Sequence, residues 1–589
     1  MCGIIVYKGN KKAADIMLDG LKRLEYRGYD SCGMAIISNN KIELKKDIGR
    51  IADVNKRLGF LSMEGNIGIS HTRWSTTGRV TQKNAHPHLS CDGNIAVVHN
   101  GVIENYSELR KDLITKGHKF ISETDTEVIA HLIEEDANFE RACLKTFKKI
   151  KGRNAFIAIN NKGEMVVARN GSPLVIGVGD NEYFIASDVP AFIKHTRKVI
   201  FIEDGELISL GDASKQEIKF IDTKYSKYLK KRIEEIEWIV EEAQKGEYPH
   251  FLIKEIMDQK KTIMAAATQD YHKIENIADM INESFGSFLI ACGTAGHAAL
   301  ASSYFFSKIA NKHINHMVAS EFQSHYHFLT DKSLVIAVSQ SGETADVLEA
   351  VKLSKAKGAK IVGIVNVPGS SLARQSNYTF MTNAGPEIAV CSTKAYTSQL
   401  SVALLLAYAA AGKMDEGVAL LKKTAKQIDD MLNEELQNNI RALAKKLATK
   451  DHIYVIGKGF NYPTSLETAL KIKEVSYIHA EGFASGELKH GVIALIEQGT
   501  PCIAIVANDD TKNDVLTGAL EIKSRGGYII GIAPENNEIF DYWISVPDAG
   551  DASPIVNCIP AQLLAYYLSL ELGCDPDYCR NLAKSVTVL

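Results

Sequence analysis

Ser333-Leu-Val-Ile-Ala-Val-Ser-Gln-Ser-Gly-Glu-Thr344 decides the fold of the second half of the chain. Residues 333–338 have the continuous apolar pattern of a buried strand, and a helix is predicted from Ala345. Between them, hydroxyl groups, a glycine and a helix N-terminus converge, and backbone N–H groups at such a point bind phosphate without a metal. Helix capping by Thr344 would explain one hydroxyl but not four polar groups around a glycine. The segment therefore predicts a parallel α/β unit whose phosphate ligands are Ser339, Gln340, Ser341 and Thr344.

This α/β unit occurs twice in the sequence. At an offset of 168 residues, Asp346-Val-Leu348 aligns with Asp514-Val-Leu516, and the match continues without gaps through a helix, a turn and a strand. Chance similarity between two such units is the alternative, but the ungapped register favours duplication. The second copy carries Ala507-Asn-Asp-Asp-Thr-Lys512 at the loop, where two aspartates would repel a phosphate. We expect only the first copy to bind phosphate.

The first 220 residues have a different pattern. Short apolar runs between turns predict strands at residues 67–70, 95–99, 155–160 and 165–168. Apolar residues at helical spacing predict helices over residues 13–24 and 126–135, so this half mixes sheet and helix. From residue 222 to 245 the sequence interleaves Lys, Arg and Glu, which predicts a solvated helix or linker and a domain boundary.

Bulk properties exclude several classes of protein. A chain of 589 residues is too long for one core and predicts about three or four domains. Its 24% charged residues and net charge of −3 lack the cationic excess of nucleic-acid-binding proteins. Ten scattered cysteines without a CxxC pair favour reduced thiols in the cytoplasm and give no support to a metal cluster. The most apolar stretch, residues 400–411, is shorter than the roughly 18 residues of a membrane span, and no signal peptide is predicted.

Cys2 is the candidate nucleophile of the first half. Removal of Met1 would leave a thiol and a free α-amine on one residue. An α-amine with a pKa of about 7.7 can accept the proton of a thiol with a pKa of about 8.5. Gly3 allows close approach of a substrate, and residues 4–6 are predicted to form the strand that positions the nucleophile. Taken alone, the motif is more often that of a small buried cysteine than that of a nucleophile.

Further motifs extend this interpretation: Arg23-Leu-Glu-Tyr-Arg-Gly-Tyr-Asp-Ser31, His71-Thr-Arg-Trp74, Asn84-Ala-His-Pro-His88, His99-Asn-Gly101 and Ser122-Glu-Thr-Asp-Thr-Glu127. With them, residues 2–221 resemble the class II glutamine amidotransferase domain. The resemblance implies an N-terminal-nucleophile hydrolase fold, in which two packed sheets lie between helix layers (αββα).

The resemblance also implies a site for glutamine. Cys2 attacks the carboxamide, and Asn100 and Gly101 hold the oxyanion. Arg73 and Asp125 bind the α-carboxylate and α-ammonium groups, as opposite charges suit a zwitterion. The remaining implied residues are Thr76 and His86 in the glutamine site and Trp74 as a gate for ammonia. The family's Thr-His-Gly is Thr76-Thr77-Gly78 here, which predicts the loss of one contact.

The second half resembles a pair of sugar isomerase (SIS) domains with parallel α/β/α sheets, and the whole chain resembles the family of glutamine–fructose-6-phosphate aminotransferases. The motifs are Cys292-Gly-Thr294, Ser339 to Thr344, Asn366-Val-Pro-Gly-Ser-Ser-Leu372, Ser392-Thr-Lys394, Lys471-Ile-Lys-Glu474, Glu487-Leu-Lys-His-Gly491 and Arg580-Asn-Leu-Ala-Lys-Ser-Val-Thr-Val588. The implied sugar ligands include Cys292, Gly293, Thr294 and Ser392. Ala295 replaces the family's common serine, so one sugar contact is expected to be missing or moved.

The resemblance assigns catalytic roles in this half to Lys584 and Glu474, and His490 and Lys471 are further candidates. Lys584 forms an imine with the ketose, and Glu474 moves a proton between C1 and C2. His490 opens the sugar ring and comes from the partner subunit of a homodimer. Lys471 shares a helix face with Glu474 and orients it, because they are three residues apart. The alternatives are a surface salt bridge between these two residues and a helix-capping His490.

The implied organisation is a glutamine amidotransferase domain (2–221), a charged linker (222–248), a first SIS domain (249–430), a second SIS domain (431–575) and a catalytic tail (576–589). The expected reaction converts fructose 6-phosphate and glutamine into glucosamine 6-phosphate and glutamate, with ammonia channelled between the sites and no metal, nucleotide or redox cofactor. One alternative is another class II amidotransferase with a different acceptor, although no SGGxDS loop is present. The other is a sugar-phosphate-sensing regulator, which would need a nucleic-acid-binding module.

Overall fold

The computed structural model describes residues 2–211, 218–236 and 245–587. The described residues before 245, together with residues 585–587, form one compact unit, and residues 245–584 form a second. Among the described residues, no helix combines the length and apolar character needed to cross a membrane.

The first unit contains strands β1 (Gly3–Lys8), β2 (Ser31–Ser38), β3 (Lys41–Ile48), β4 (Ile67–Arg73), β5 (His88–Leu89), β6 (Ile95–Gly101), β7 (Asn154–Asn160), β8 (Met165–Asn170), β9 (Val175–Val178), β10 (Tyr183–Ala186), β11 (Lys198–Phe201), β12 (Glu206–Leu210), β13 (Ile218–Asp222), β14 (Lys227–Leu229) and β15 (Glu234–Glu235). Its helices are α1 (Ala13–Leu24), α2 (Ile51–Leu58), α3 (Tyr106–Thr115), α4 (Glu127–Glu134) and α5 (Phe139–Lys149).

Two antiparallel sheets pack face to face in the first unit. The strand orders are β15-β11-β9-β10-β1-β4-β2-β3 and β14-β13-β12-β8-β7-β6-β5. Alternate residues of β1, Ile4 and Val6, pack against Val98 and Ile157 of the second sheet, because successive side chains of a strand point to opposite faces. Helix α1 packs against β1 and β4. Helices α4 and α5 pack in a separate core on the other face of the second sheet. The predicted αββα arrangement is confirmed.

The predicted elements of this unit are present with small changes at their ends. The four predicted strands correspond to β4, β6, β7 and β8, and the two predicted helices to α1 and α4. The segment expected to be a charged linker differs, because β14 pairs with β13 and β15 pairs with β11. These short strands lie at sheet edges and are mostly exposed, which explains their charged sequence. Residues 237–244 of the predicted linker lie outside the described residues.

The second unit contains helices α6 (Phe251–Met257), α7 (Gln259–Ala267), α8 (Tyr271–Glu283), α9 (Gly293–Ala310), α10 (Ala345–Ala356), α11 (Ser371–Gln375), α12 (Lys394–Ala410), α13 (Met414–Met431), α14 (Glu434–Leu447), α15 (Asn461–Ser476), α16 (Lys512–Lys523) and α17 (Ser553–Glu571). Its strands are β16 (Phe288–Ala291), β17 (Asn315–Val318), β18 (Leu334–Ser339), β19 (Lys360–Val365), β20 (Tyr378–Met381), β21 (His452–Gly457), β22 (His479–Ala484), β23 (Pro501–Ile505), β24 (Tyr528–Ala533) and β25 (Tyr542–Ser545).

The second unit is built from two equivalent parallel sheets, ordered β17-β16-β18-β19-β20 and β22-β21-β23-β24-β25. The bounds of β24 are those of β19 shifted by the predicted 168 residues. Central strands of both sheets are buried on both faces, as expected of parallel sheets covered by helices. The predicted duplication is confirmed. Helices α9 and α15 follow the equivalent strands β16 and β21 and pack against each other, so they are the corresponding helices of the two copies.

Candidate active site

Cys2 lies directly before β1, so its position is set by the central strand of the first sheet. The Trp74 backbone N–H donates to Cys2 Sγ at 3.3 Å, and the Asn100 side-chain amide donates to the Cys2 carbonyl oxygen at 3.0 Å. Burial raises the pKa of the Cys2 thiol, although the Trp74 N–H and Arg73 oppose this effect. A buried thiol needs a base to become a nucleophile. The predicted base is the α-amine of the same residue.

Asn100 and Gly101 are the last two residues of strand β6, and Asn100 contacts Cys2. The Asn100 carboxamide oxygen lies 3.1 Å from His71 Nε2. The Asn100 side-chain nitrogen therefore donates toward Cys2 and, at 3.0 Å, toward Ser187 Oγ. Gly101 has a φ of 126°, and a Cβ there would lie 2.0 Å from the Arg153 carbonyl oxygen. Only glycine fits this position, because any Cβ would clash with the backbone of Arg153.

Arg73 and Asp125 are both buried and converge on the loop of residues 77–79. Arg73 donates to the backbone carbonyls of this loop, and Thr77 Oγ1 donates to Asp125 Oδ1 at 2.7 Å. The other oxygen of Asp125 accepts from Ile103 N at 2.8 Å. Because both side chains are buried, they do not form an exposed ion pair at the surface. Thr76 is exposed. At Thr77, where we expected one contact to be lost, the side chain contacts Asp125.

His86 stacks on His71 with ring centroids 4.1 Å apart. Burial lowers the pKa of His86 well below its ordinary range and lowers that of His71 to about 3. The two rings are therefore neutral at physiological pH and add no positive charge beside Arg73. The Trp74 ring lies edge-on to the Tyr29 ring, with the ring centroids 5.9 Å apart. Both backbone polar groups of Trp74 contact Cys2, because Cys2 Sγ also donates to the Trp74 carbonyl at 3.4 Å.

The predicted phosphate loop lies between β18 and α10. Ser339 Oγ lies 3.0 Å from Thr344 Oγ1 and accepts from Gly342 N at 3.0 Å. Thr344 occupies the N-cap position, yet its side chain does not bond to the first turn of the helix, so simple capping does not explain its hydroxyl. Gly342 has a φ of 64°, and a Cβ would lie 2.1 Å from Ser370 Oγ. The backbone can thus form a tight loop at a helix N-terminus.

Cys292, Gly293 and Thr294 follow β16, the neighbour of β18. They therefore reach the same carboxyl edge of the parallel sheet as the phosphate loop, which is where ligands bind in such folds. Gln340 also lies in this loop, and its carbonyl accepts from Asn366 N at 3.1 Å. In the second copy, Asp509 instead accepts hydrogen bonds from the backbone and side chain of Thr511.

Lys584 is buried in an ion pair that the sequence did not predict. Its Nζ lies 2.5 Å from Glu387 Oε2, and the two side chains are 4% and 0% exposed. Ser392 Oγ donates to the same oxygen at 2.8 Å, while Oε1 accepts from the backbone N–H groups of Thr393 and Ala395. Burial alone would raise the pKa of Glu387, but Lys584 and these donors hold it below its ordinary value. Ser392 and Lys584 are thus brought together through one carboxylate.

A second buried cluster lies between α9 and α15. Lys471 Nζ lies 2.7 Å from Glu474 Oε2, 3.1 Å from Glu467 Oε1 and 2.9 Å from Thr294 Oγ1. Glu467 also contacts His297 Nδ1 at 2.8 Å. The predicted pairing of Lys471 with Glu474 is observed. The alternative of a surface salt bridge is wrong, since Lys471 is only 1% exposed.

The pKa of the buried Cys579 thiol depends on residues of both clusters. Burial raises the pKa of Cys579 to about 12, Glu474 adds to this rise, and Lys471 and Lys584 oppose it. The charges of all three residues therefore act on one buried thiol. His490 lies apart from both clusters in the described contacts and is exposed at the end of a short 3-10 helix.

Sequence reasoning missed Glu387, Glu467 and His297. Each has a partner that is distant in sequence, since Glu387 pairs with Lys584 and Glu467 contacts Thr294 and His297. The one usable local signal is the spacing of Glu467 and Lys471, four residues apart on a helix.

Comparison with known proteins gives consistent matches. Residues 71–194 match the glutamine amidotransferase domain, and residues 281–409 and 446–572 each match the SIS domain. The chain is 44% identical to the glutamine–fructose-6-phosphate aminotransferase (isomerizing) of Pyrococcus horikoshii and 44% identical to that of Thermococcus kodakarensis, each over 100% of both chains. The solved C-terminal domain of glucosamine-fructose-6-phosphate aminotransferase from Francisella tularensis is 34% identical with a TM-score of 0.52, covering 57% of this chain and 99% of that one.

Proposed function

Because the chain belongs to the family of glutamine–fructose-6-phosphate aminotransferases, we propose that it converts fructose 6-phosphate and glutamine into glucosamine 6-phosphate and glutamate. The proposal divides the reaction between the two units. The first releases ammonia from glutamine, and the second places it on the sugar. Domain boundaries at residues 221, 248, 430 and 575 remain part of this proposal.

In the first unit, the Cys2 thiolate attacks the carboxamide carbon of glutamine after its α-amine, exposed by removal of Met1, takes the thiol proton. The Asn100 amide and Gly101 N–H stabilise the resulting oxyanion, and a donor of this kind contributes about 3 kcal/mol to lowering the barrier. Collapse expels ammonia and leaves a thioester, which water hydrolyses to glutamate. The hydrogen bond from Asn100 to the Cys2 carbonyl or to Ser187 must give way to the oxyanion.

Glutamine binding requires the loop of residues 77–79 to move. Arg73 and Asp125 already bond to this loop, and the α-carboxylate and α-ammonium groups of glutamine would replace those bonds. Burial of both charges strengthens their interaction with a zwitterion that enters from water. Thr76 and His86 complete the proposed pocket, and Trp74 gates the passage of ammonia.

In the second unit, the phosphate of the ketose binds to Ser339, Gln340, Ser341 and Thr344, with Cys292, Gly293, Thr294 and Ser392 along the sugar. Lys584 Nζ adds to the C2 carbonyl, and loss of water gives an imine. Ammonia attacks C2 of the imine and displaces the lysine. Glu474, held by Lys471, removes a proton from C1 and a proton is returned at C2, which gives the aldose.

The observation that carries the proposal is the burial of Lys584 against Glu387, in the same unit as the buried pair of Lys471 and Glu474. A tail lysine that only packed against the domain would not require a buried carboxylate with four donors. An amidotransferase with a pyrophosphate acceptor would use neither Lys584 nor Glu474. The same holds for a regulator that catalyses no reaction. We therefore propose a hexose phosphate as the acceptor.

A paired assay of glutamate and amino-sugar release tests this proposal. Cys2→Ala should lose both products from glutamine. Lys584→Arg keeps the positive charge but cannot form the imine, so glutamine hydrolysis should continue while glucosamine 6-phosphate falls by at least about 100-fold. Substantial amino-sugar formation by Lys584→Arg would refute the role of the tail lysine.

We further propose that the enzyme is a homodimer in which His490 completes the sugar site of the partner. The exposure of His490 supports this arrangement. Mixing His490→Ala with Lys584→Arg chains should restore synthesis, because one composite site of each mixed dimer then carries both intact residues. Without restoration, His490 would act within its own chain or not at all. A cytoplasmic location is proposed on the basis of ten cysteines that are all unpaired.

A further inference from the structure

Four residues of the first unit that take no part in the proposed reaction converge on one point. They are Cys91, which follows β5, His118, which follows α3, and His131 and Glu134 on α4. One donor atom from each lies within 4.8 Å of all the others. We propose that these four side chains bind a zinc ion that holds the β5–β6 turn and α3 onto helix α4.

The distances between the donor atoms suit a tetrahedral zinc ion. Cys91 Sγ lies 3.5 Å from His131 Nδ1 and 3.8 Å from His118 Nδ1. Zinc–sulfur and zinc–nitrogen bonds of about 2.3 and 2.1 Å place these atoms about 3.6 Å apart in a tetrahedron. Glu134 Oε1 lies 2.7 Å from both nitrogens and needs to move by less than about 1 Å.

The surroundings of the two histidines resemble the outer shell of a metal site. A metal-bound imidazole usually presents its other nitrogen to a carboxylate. His131 Nε2, which is buried and has no hydrogen-bond partner, lies 3.6 Å from Glu127 Oε1, and His118 Nε2 lies 3.9 Å from Glu135 Oε1. Both Nδ1 atoms therefore face the proposed ion while both Nε2 atoms face an acid.

The ligand chemistry favours zinc over the hard cations. A thiolate and two imidazoles are poor ligands for magnesium or calcium but suit a borderline-soft divalent ion. Cys91 is the exposed member and gives the ion a path from solvent, whereas the Phe120 ring covers His131 at 4.5 Å. Binding releases the Cys91 thiol proton to solvent, and no group changes its oxidation state.

The site has a structural role distinct from the chemistry at Cys2. Cys91 N already donates to Glu134 Oε2 at 2.8 Å, so the turn touches α4 without a metal. The ion would replace weak polar contacts by four bonds and fix the C-terminal half of α4, which carries His131 and Glu134. Zinc should therefore raise the unfolding temperature of the first unit, as expected of a ligand that binds only the folded state.

The test uses the full-length protein stripped with a chelator and then equilibrated with micromolar free zinc or cobalt. We expect about one ion per chain by elemental analysis, and a thiolate-to-cobalt charge-transfer band for the cobalt form. Cys91→Ser, at an exposed position, should abolish that band, and Cys91→Ser with His118→Gln should retain less than about one tenth of the ion. Cys574→Ser is the matched control and should bind as the parent does.

Glutamine hydrolysis at room temperature should persist in the stripped protein and in the Cys91→Ser variant, since neither changes the nucleophile or the clamp. The parent should gain thermal stability with added zinc, and the double variant should not. The proposal is overturned if the parent takes up neither ion under these conditions. It is equally overturned if metal content and the cobalt spectrum are unchanged in the double variant.

Discussion

Glu387→Gln isolates the buried ion pair that holds Lys584, the proposed imine-forming lysine. Glutamine keeps an oxygen for the N–H groups of Thr393 and Ala395 but removes the charge that faces Lys584. Removing one partner of a fully buried pair costs about 3–5 kcal/mol, because the remaining charge is left without compensation. At 1.36 kcal/mol per factor of ten, this corresponds to roughly 100-fold or more in local opening.

Hydrogen exchange of peptides covering residues 387–395 and 577–584 measures this effect at pH 7. We expect exchange at least about 100-fold faster in Glu387→Gln and a matching loss of amino-sugar formation. Because the pKa of Glu387 is held below its ordinary value, the contribution of the pair is present above the unfolded pKa of about 4.3 and is lost as pH falls through the lower folded value. The parent and the variant should therefore converge only in acid.

Asp510→Asn is the matched control, since it breaks the exposed pair with Lys308 in the same unit. Exposed pairs contribute little, so its exchange should stay within about two-fold of the parent. If Glu387→Gln exchanged as slowly as this control, the pair would not hold the tail, and the reasoning would be refuted.

Two further predictions concern the same unit. Ser341→Asp, which copies the charge of Asp509 in the second repeat, should weaken fructose 6-phosphate binding by about 10-fold or more, because the new carboxylate repels the phosphate. Calorimetry measures this affinity, with Thr517→Asp as an exposed control. An unchanged affinity would contradict the assignment of the phosphate loop. Burial and the nearby Glu387 raise the pKa of Glu255 to about 8, so the folded state binds the extra proton between about pH 4.3 and 8 and stability falls as pH rises through that window. Glu255→Gln should flatten this dependence in denaturant titrations, and a slope equal to that of the parent would exclude the assignment.

The sequence predicted those parts of the structure that depend on local pattern. Residues 333–344 specify a strand, a glycine loop and a helix within twelve positions, and Lys471 and Glu474 share a helix face by spacing alone. The need for glycine at position 342 could also be predicted, because a tight loop beside a helix N-terminus requires a residue that tolerates positive φ.

The remaining features depend on packing between distant segments. Glu387 meets Lys584 only after the tail folds back, and Glu467 meets His297 only because the duplicated helices α9 and α15 pack together. Cys91 and its partners form no short motif, so ten scattered cysteines gave no sign of a metal cluster. The edge strands β14 and β15 have too few core-facing residues for a strand pattern to be recognised.

The most direct test of the account is the site of covalent attachment of the sugar. The parent enzyme is incubated with borohydride and fructose 6-phosphate, digested, and mapped by mass spectrometry, with Lys584→Arg and a reaction lacking the sugar as controls. We expect one reduced adduct, on Lys584, formed only when the ketose phosphate is present. An adduct on Lys471 or Lys473, or one that persists in Lys584→Arg, would contradict it.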